Sequence, residues 1–219
     1  MFLQNEVIMK DVIWLGGANK KEESAKSTSI SSLVAGSKDE NNVVETSNNS
    51  VYFYSEVTRP KILQLNKAIN NLESNLLNQK RLLKLKFPAD IYLHINSFGG
   101  SVFAGLAAAD YIKNSEVPVQ SIVEGCVASA ATLFSVVADH RQIRKNSFML
   151  IHQLSSGMWG KYEEMKDAMD NNDLFMRVIK DIYEEHTKIP KRKLNEILKR
   201  DLWFDAETCL EYGLVDEII

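Results

Sequence analysis

The sequence predicts an α/β fold assembled from parallel βαβ units, and three observations carry that expectation. From residue 51 onward, short runs rich in β-branched and aromatic residues alternate with stretches whose apolar residues recur at helical spacing. The intervals between those runs are long enough to hold a crossover helix, which parallel neighbours require. Small residues close two of the runs, at Gly99 and Gly100 and again around Ser129, and in such sheets ligands gather beyond the carboxyl ends of the strands.

Each element follows in order. Residues 7–16, VIMKDVIWLG, suffice for one short strand. The next 34 residues, 17–50, hold eight serines and only five large aliphatic side chains, too few to offset the entropy of ordering them, so a flexible linker or axial loop is expected there, within a divergent N-terminal segment 1–50. The folded domain is expected to begin near Val51 and to run through 219. VYFYSEV at 51–57 reads as a strand, and Pro60 opens a helix with Ile62, Leu65, Ile69, Leu72 and Leu76 on one stripe. DIYLHIN is a second strand, SFGG a tight turn, and SVFAGLAAADYIKN a helix whose alanines permit close packing. VQSIVEG is a third strand, and the apolar stretch 123–137, VEGCVASAATLFSVV, supplies the next helix. FMLIHQ is strand-like. SSGMWGK is a polar connection to a long helix over 162–186 that carries Met165, Met169, Met176, Ile179 and Tyr183 on one side. Pro190 starts another helix, Asp205 caps AETCLEY, Gly213 ends it, and LVDEII is a closing strand.

Composition excludes several classes. With 219 residues and a net charge of −3, no electrostatic case exists for nucleic acid or an anionic membrane. The longest apolar run, 126–138, is too short to span a bilayer, and the first residues lack the pattern of a signal peptide. Cys126, in an expected core segment, and Cys209 are too few for a disulfide framework, so a reducing, cytoplasmic setting is expected. No metal-ligand spacing and no phosphate-binding loop occurs, so no cofactor is expected.

The chemistry converges on Ser129. A serine needs a base to take its proton, a group to orient that base, and donors for the oxyanion that forms. Ser129 begins a helix, so the amide of Ala130 points into the same space, and the Gly99 and Gly100 corner offers a second amide with no side chain in the way. Among four histidines, His94 alternates into a strand, His140 sits in the polar run DHRQIRKN and reads as a surface turn, and His186 falls in the last turn of the long helix, where a cation is favoured. His152 alone lies at a strand end one unit beyond the serine. For the acid, Asp139 reads as a solvated turn residue. Asp201 is favoured over Asp205, whose ordinary role is to cap a helix, although spacing alone does not separate the two.

INSFGGSVFAGLAAADYI, EGCVASAATLFSV, FMLIHQ and RDLWFDAETCLEYGLVDEI stand in the order and at the intervals of the Clp protease proteolytic subunit family, and residues 51–219 resemble those ClpP-like serine peptidases. The resemblance implies a ClpP/crotonase-type β/α core with a protruding handle, here 155–186. It implies a nucleophile at Ser129, a base at His152, an acid at Asp201, and an oxyanion hole from the amides of Gly100 and Ala130. Extended substrate is then expected beside Gly99, Ser101, Val102, Ser155 and Ser156, paired through its backbone. The implied assembly is two stacked heptameric rings enclosing a chamber in which unfolded polypeptides are cut, with energy supplied by an AAA+ unfoldase. The docking cleft for that partner diverges: Tyr92 is kept, while His94 and Asn114 stand where Tyr and Phe are common. Phe98 replaces the usual proline before the two glycines, and Leu154 the usual proline or glycine after His-Gln. The alternatives are a phage capsid-maturation peptidase of the same type, which the GGSVFAGLA and LWFDAE blocks also resemble, and a non-catalytic ring subunit, against which the matched Ser129, His152 and Asp201 argue. A crotonase-type acyl-CoA enzyme and a Ser–Lys dyad leave His152 and Asp201 without a role.

Overall fold

The structure, a computed structural model, describes residues 43–219. The strand expected at 7–16 and most of the Ser-rich stretch lie outside the described residues. The remainder of that stretch departs from expectation, because β1 (Val43–Ser47) and β2 (Ser50–Tyr54) form an antiparallel hairpin. The sheet therefore starts eight residues before Val51. Asn48 turns the hairpin at φ 54°, a conformation that asparagine tolerates better than most residues.

Among the described residues seven strands form one sheet, in the order β1, β2, β3 (Ile91–Ser97), β4 (Val119–Ala128), β5 (His140–Ile143) and β7 (Glu217–Ile218), with β6 (Phe148–Leu150) paired to β4. After β2 come α1 (Arg59–Leu82), β3 (Ile91–Ser97), α2 (Val102–Lys113), β4 (Val119–Ala128), α3 (Ala130–Val136), β5 (His140–Ile143) and β6 (Phe148–Leu150). α4 (Tyr162–His186), α5 (Lys191–Ile197), α6 (Ala206–Glu211) and β7 (Glu217–Ile218) complete the chain. Every pairing between named strands after the hairpin is parallel, as the βαβ reading requires. This is the mixed α/β fold that the sequence predicts.

The helices start where the chain supplies a cap. Thr58 accepts from the Lys61 amide at the start of α1, with Pro60 in the first turn, and Ile62, Leu65, Ile69 and Leu76 are buried. Ser101 caps α2, and Ala104, Gly105, Ala108 and Ala109 bring that helix close to its neighbours. The space left for a side chain at Gly105 is nil, since a Cβ there would stand 2.7 Å from the Ala130 carbonyl oxygen. α3 is buried along its whole length and packs Phe134 edge-on against Phe53 of β2 at 5.5 Å. Among the described residues no helix is long and apolar enough to cross a membrane.

Two elements differ from the sequence reading. The 123–137 stretch is strand as far as Ala128, because β4 bends at Gly125 (φ 71°) and changes partner. Its first half pairs with β5, while Cys126, Val127 and Ala128 pair with β6. Cys126 is half-buried rather than core. His140 lies in β5 and not in a surface turn; HRQI pairs with both β4 and β7 although only Ile143 is fully buried. Asp139, also read as solvated, accepts the Val119 amide at 2.8 Å and so pins the loop between α3 and β5 to the start of β4.

Candidate active site

β4 and β6 set the site. Ala128 pairs with Leu150, and one residue further the Ser129 amide donates to the Leu150 carbonyl at 2.8 Å. Ser129 thus sits at a carboxyl-end rim, two residues along the neighbouring strand from where His152 leaves it. Its backbone has φ 59° and ψ −133°, a left-handed conformation that an L side chain adopts only when its surroundings enforce it, at about 1–3 kcal/mol. The enforcement is visible. The Ser129 carbonyl accepts from both the amide and the hydroxyl of Thr132, at 2.9 and 2.6 Å, and the side chain is buried to 2% exposure.

The diglycine corner packs directly onto this turn. At Gly99 (φ 94°) a Cβ would meet the Ser129 Cβ at 2.5 Å and the Ala128 carbonyl oxygen at 2.7 Å, so only glycine fits. Gly100 (φ 147°) bridges Val57 in parallel: Val57 donates to the Gly99 carbonyl and accepts from the Ser101 amide, both at 2.8 Å. In a parallel bridge the residue between two such bonds turns its own N–H to the opposite side. The Gly100 amide therefore faces away from Val57, toward the side on which β4 and Ser129 lie. The Ala130 amide is among the first of α3, which have no intrahelical acceptor.

His152 is buried, and its Nδ1 lies 2.9 Å from Oδ1 of Asp201. A short antiparallel clamp creates that contact. Met149 and Phe204 exchange main-chain bonds at 2.8 and 2.9 Å, and the Gln153 amide donates to the Leu198 carbonyl at 2.6 Å. Segment 198–204 is held along 149–153 at both ends, which sets Asp201 opposite His152. Burial lowers the His152 pKa below the ordinary 6.5, although Asp201 pulls the other way through its charge and its hydrogen bond. The net lowering favours the neutral imidazole near pH 7, the form that can accept a proton. Asp205 does something else: it caps α6 by accepting the Thr208 amide at 2.9 Å. Of the two acids, Asp201 thus faces His152 and Asp205 faces the start of a helix.

The other histidines are engaged elsewhere. His94 stacks on Tyr52 at 4.4 Å, on the sheet face opposite the core, with Nδ1 3.1 Å from Glu124. His140 bonds Glu217 at 3.2 Å. His186 ends α4 as expected, but burial, helped by the neighbouring Lys113 cation, lowers its pKa, so the charge anticipated at a helix end is opposed.

The substrate-binding candidates divide. Gly99 is an interior contact, Ser101 caps α2 through its hydroxyl, and the Val102 side chain is wholly buried, which leaves these three only main-chain atoms to offer. Ser155 and Ser156 are exposed on the irregular segment after β6, where the Asn172 amide of α4 donates to the Ser156 hydroxyl at 2.8 Å. Sequence reasoning passed over Thr132 and Tyr183. Both look like core residues, and nothing in their spacing ties them to Ser129. It also noted Phe98 only as a replacement for proline; the ring is exposed and meets Trp203 edge-on at 6.3 Å beside the diglycine corner.

The family model described as Clp protease matches residues 45–219. The ATP-dependent Clp protease proteolytic subunit of Deinococcus radiodurans is 30% identical over 170 residues, which cover 76% of this chain and 83% of that protein. The ATP-dependent Clp protease proteolytic subunit 3 of Streptomyces coelicolor is 34% identical over 163 residues, 73% of this chain and 75% of that protein. Among solved structures, a ClpP1 mutant from Listeria monocytogenes is similar with a TM-score of 0.67 and 25% identity, covering 78% of this chain and 91% of that one.

Proposed function

This chain belongs to the Clp protease family and is on that account a protease, and from that premise we propose that it is a serine endopeptidase working through Ser129, His152 and Asp201. The observation that carries the reading is the 2.9 Å contact between His152 and Asp201, on a strand end adjoining a serine held in a left-handed turn. His152 Nε2 takes the Ser129 proton as Oγ attacks the peptide carbonyl. The oxyanion is held by the amides of Gly100 and Ala130, a pair of donors whose loss costs about 2.7–4 kcal/mol each in comparable sites. The imidazolium, stabilised by Asp201, then passes its proton to the departing amine, and water returns the acyl-enzyme to free serine by the reverse transfers.

The expected substrate is an extended, unfolded polypeptide, paired through its backbone beside Gly99, Ser101 and Val102 on one side and Ser155 and Ser156 on the other. The 155–186 handle projects apolar side chains that suit contact with a second copy, and this supports a barrel of two heptameric rings. Residues 1–50 are proposed as a divergent axial segment preceding the peptidase domain, apart from the hairpin at its end. An AAA+ unfoldase is the proposed energy source, reached through a cleft in which His94 and Asn114 alter the usual aromatic lining.

A fluorophosphonate probe tests the chemistry. Ser129 is expected to be phosphonylated in the assembled protein, and Ser129→Ala and His152→Ala to show no modification. A well-assembled wild-type particle that stays unlabelled would sink the reading.

A further inference from the structure

Among the described residues Tyr183 is the largest fully buried side chain, and it stands on α4, remote in sequence from Ser129. Its hydroxyl lies 2.6 Å from Thr132 Oγ1, which lies 2.6 Å from the Ser129 carbonyl oxygen. Proton bookkeeping fixes the direction of both bonds. A carbonyl oxygen only accepts, so the single Thr132 hydroxyl proton goes to Ser129, and Tyr183 must donate to Thr132. Burial, only partly offset by the Thr132 bond, raises the Tyr183 pKa and keeps that donor protonated. The bonds run in series from α4 to the peptide unit of a residue held at φ 59°, and hydrogen bonds in such a chain polarise and strengthen one another.

We propose that Tyr183 is a positioning residue for Ser129: its hydroxyl, acting through that of Thr132, holds the carbonyl of Ser129 and keeps the left-handed turn in the geometry that aims Oγ at substrate. The inference rests on Ser129 being the nucleophile. A strained backbone persists only where its surroundings over-determine it, and this relay is one of the restraints, beside the Thr132 amide, the Leu150 carbonyl and the contact with Gly99. A hydroxyl serving burial alone would affect stability and leave the reactivity of Ser129 untouched.

Tyr183→Phe keeps the ring and removes only the donor. Its fluorophosphonate labelling rate and its kcat on a fluorogenic peptide are expected to fall about threefold to tenfold, the span of one lost hydrogen bond, with KM and native particle mass unchanged. Thr132→Ser retains the hydroxyl and is expected to react as the wild type does. Thr132→Val strands the Tyr183 hydroxyl in the core, so the decisive partner is the double variant Tyr183→Phe with Thr132→Val, which removes both ends and should react no slower than Thr132→Val alone. Wild-type labelling in a correctly assembled Tyr183→Phe particle overturns the proposal. If the wild type itself fails to label, the nucleophile assignment is what fails. The relay is then read by amide hydrogen exchange over 129–133, where Tyr183→Phe should speed exchange about threefold to tenfold and an unchanged rate overturns it.

Discussion

Ser129 holds φ 59° and ψ −133°, which glycine adopts freely and other residues do not. Stability and activity therefore pull in opposite directions at this position. Ser129→Gly is expected to be more stable than Ser129→Ala by about 1 kcal/mol, read from urea midpoints at matched protein concentration, while neither variant cleaves peptide; equal midpoints would mean the turn is unstrained. His152 supplies a pH prediction. Burial depresses its pKa, so the acid limb of kcat/KM is expected below 6.5, and Asp201→Asn, which removes the group that raises that pKa, should shift the limb lower still and cut kcat by about 10²–10⁴-fold. A limb at or above 6.5 in the wild type would contradict a buried neutral base. The same shift affects folding. Because the folded pKa is the depressed one, the unfolded chain binds the proton first, and this histidine's contribution is full above 6.5 and lost as pH falls from there through the folded value.

α2 and α3 approach so closely that the position of Ser129 depends on a residue well away in sequence. Gly105 lies against the Ala130 carbonyl, where a Cβ would sit at 2.7 Å from backbone. Gly105→Ala must push the first turn of α3 outward, and with it the Ala130 amide and Ser129. Misplacement of about 1 Å costs about a hundredfold in rate, so peptidase activity is expected to fall by that order while native mass is retained; full activity would show that α3 tolerates the shift. How far such elements were legible depended on their side chains. α1 and α4 announced themselves by stripes of spaced apolar residues, and β3 by the alternation that puts Ile91, Leu93 and Ile95 inward. β5 did not, because HRQI is polar and its strand character comes from main-chain bonds to β4 and β7. β1 was hidden for the same reason, since ETS in VVETS faces solvent and pairs only through its backbone.

The apolar stripe of α4 is buried in the domain over only part of its length. Ile179 and Tyr183 are buried and Met176 is half-buried, but Met165 and Met169 stand 40% and 50% exposed, and Trp159 just before the helix is wholly exposed. The core ends while the stripe continues, so the forward part of the helix presents a surface suited to another subunit. If the proposed double ring forms, Met165→Glu with Met169→Glu is expected to halve the particle mass by native mass spectrometry, to that of single rings, with the monomer fold unchanged by circular dichroism. An unaltered mass would remove the handle from the ring contact.

From residue 51, β5 and the end of β4 apart, the succession of strands and helices and the seat of the serine at a strand end were determined by the chain itself, because hydrophobic period and small-residue punctuation are local properties. Which of Asp201 and Asp205, four residues apart, lies against His152 was decided only by tertiary structure. Main-chain bonds from Met149 and Gln153 hold segment 198–204 beside His152 and leave Asp205 to its helix. The Tyr183 relay likewise exists only once α4 folds over α3. Such contacts join residues some fifty positions apart, and no pattern within a local stretch of sequence records which distant partner a side chain will meet.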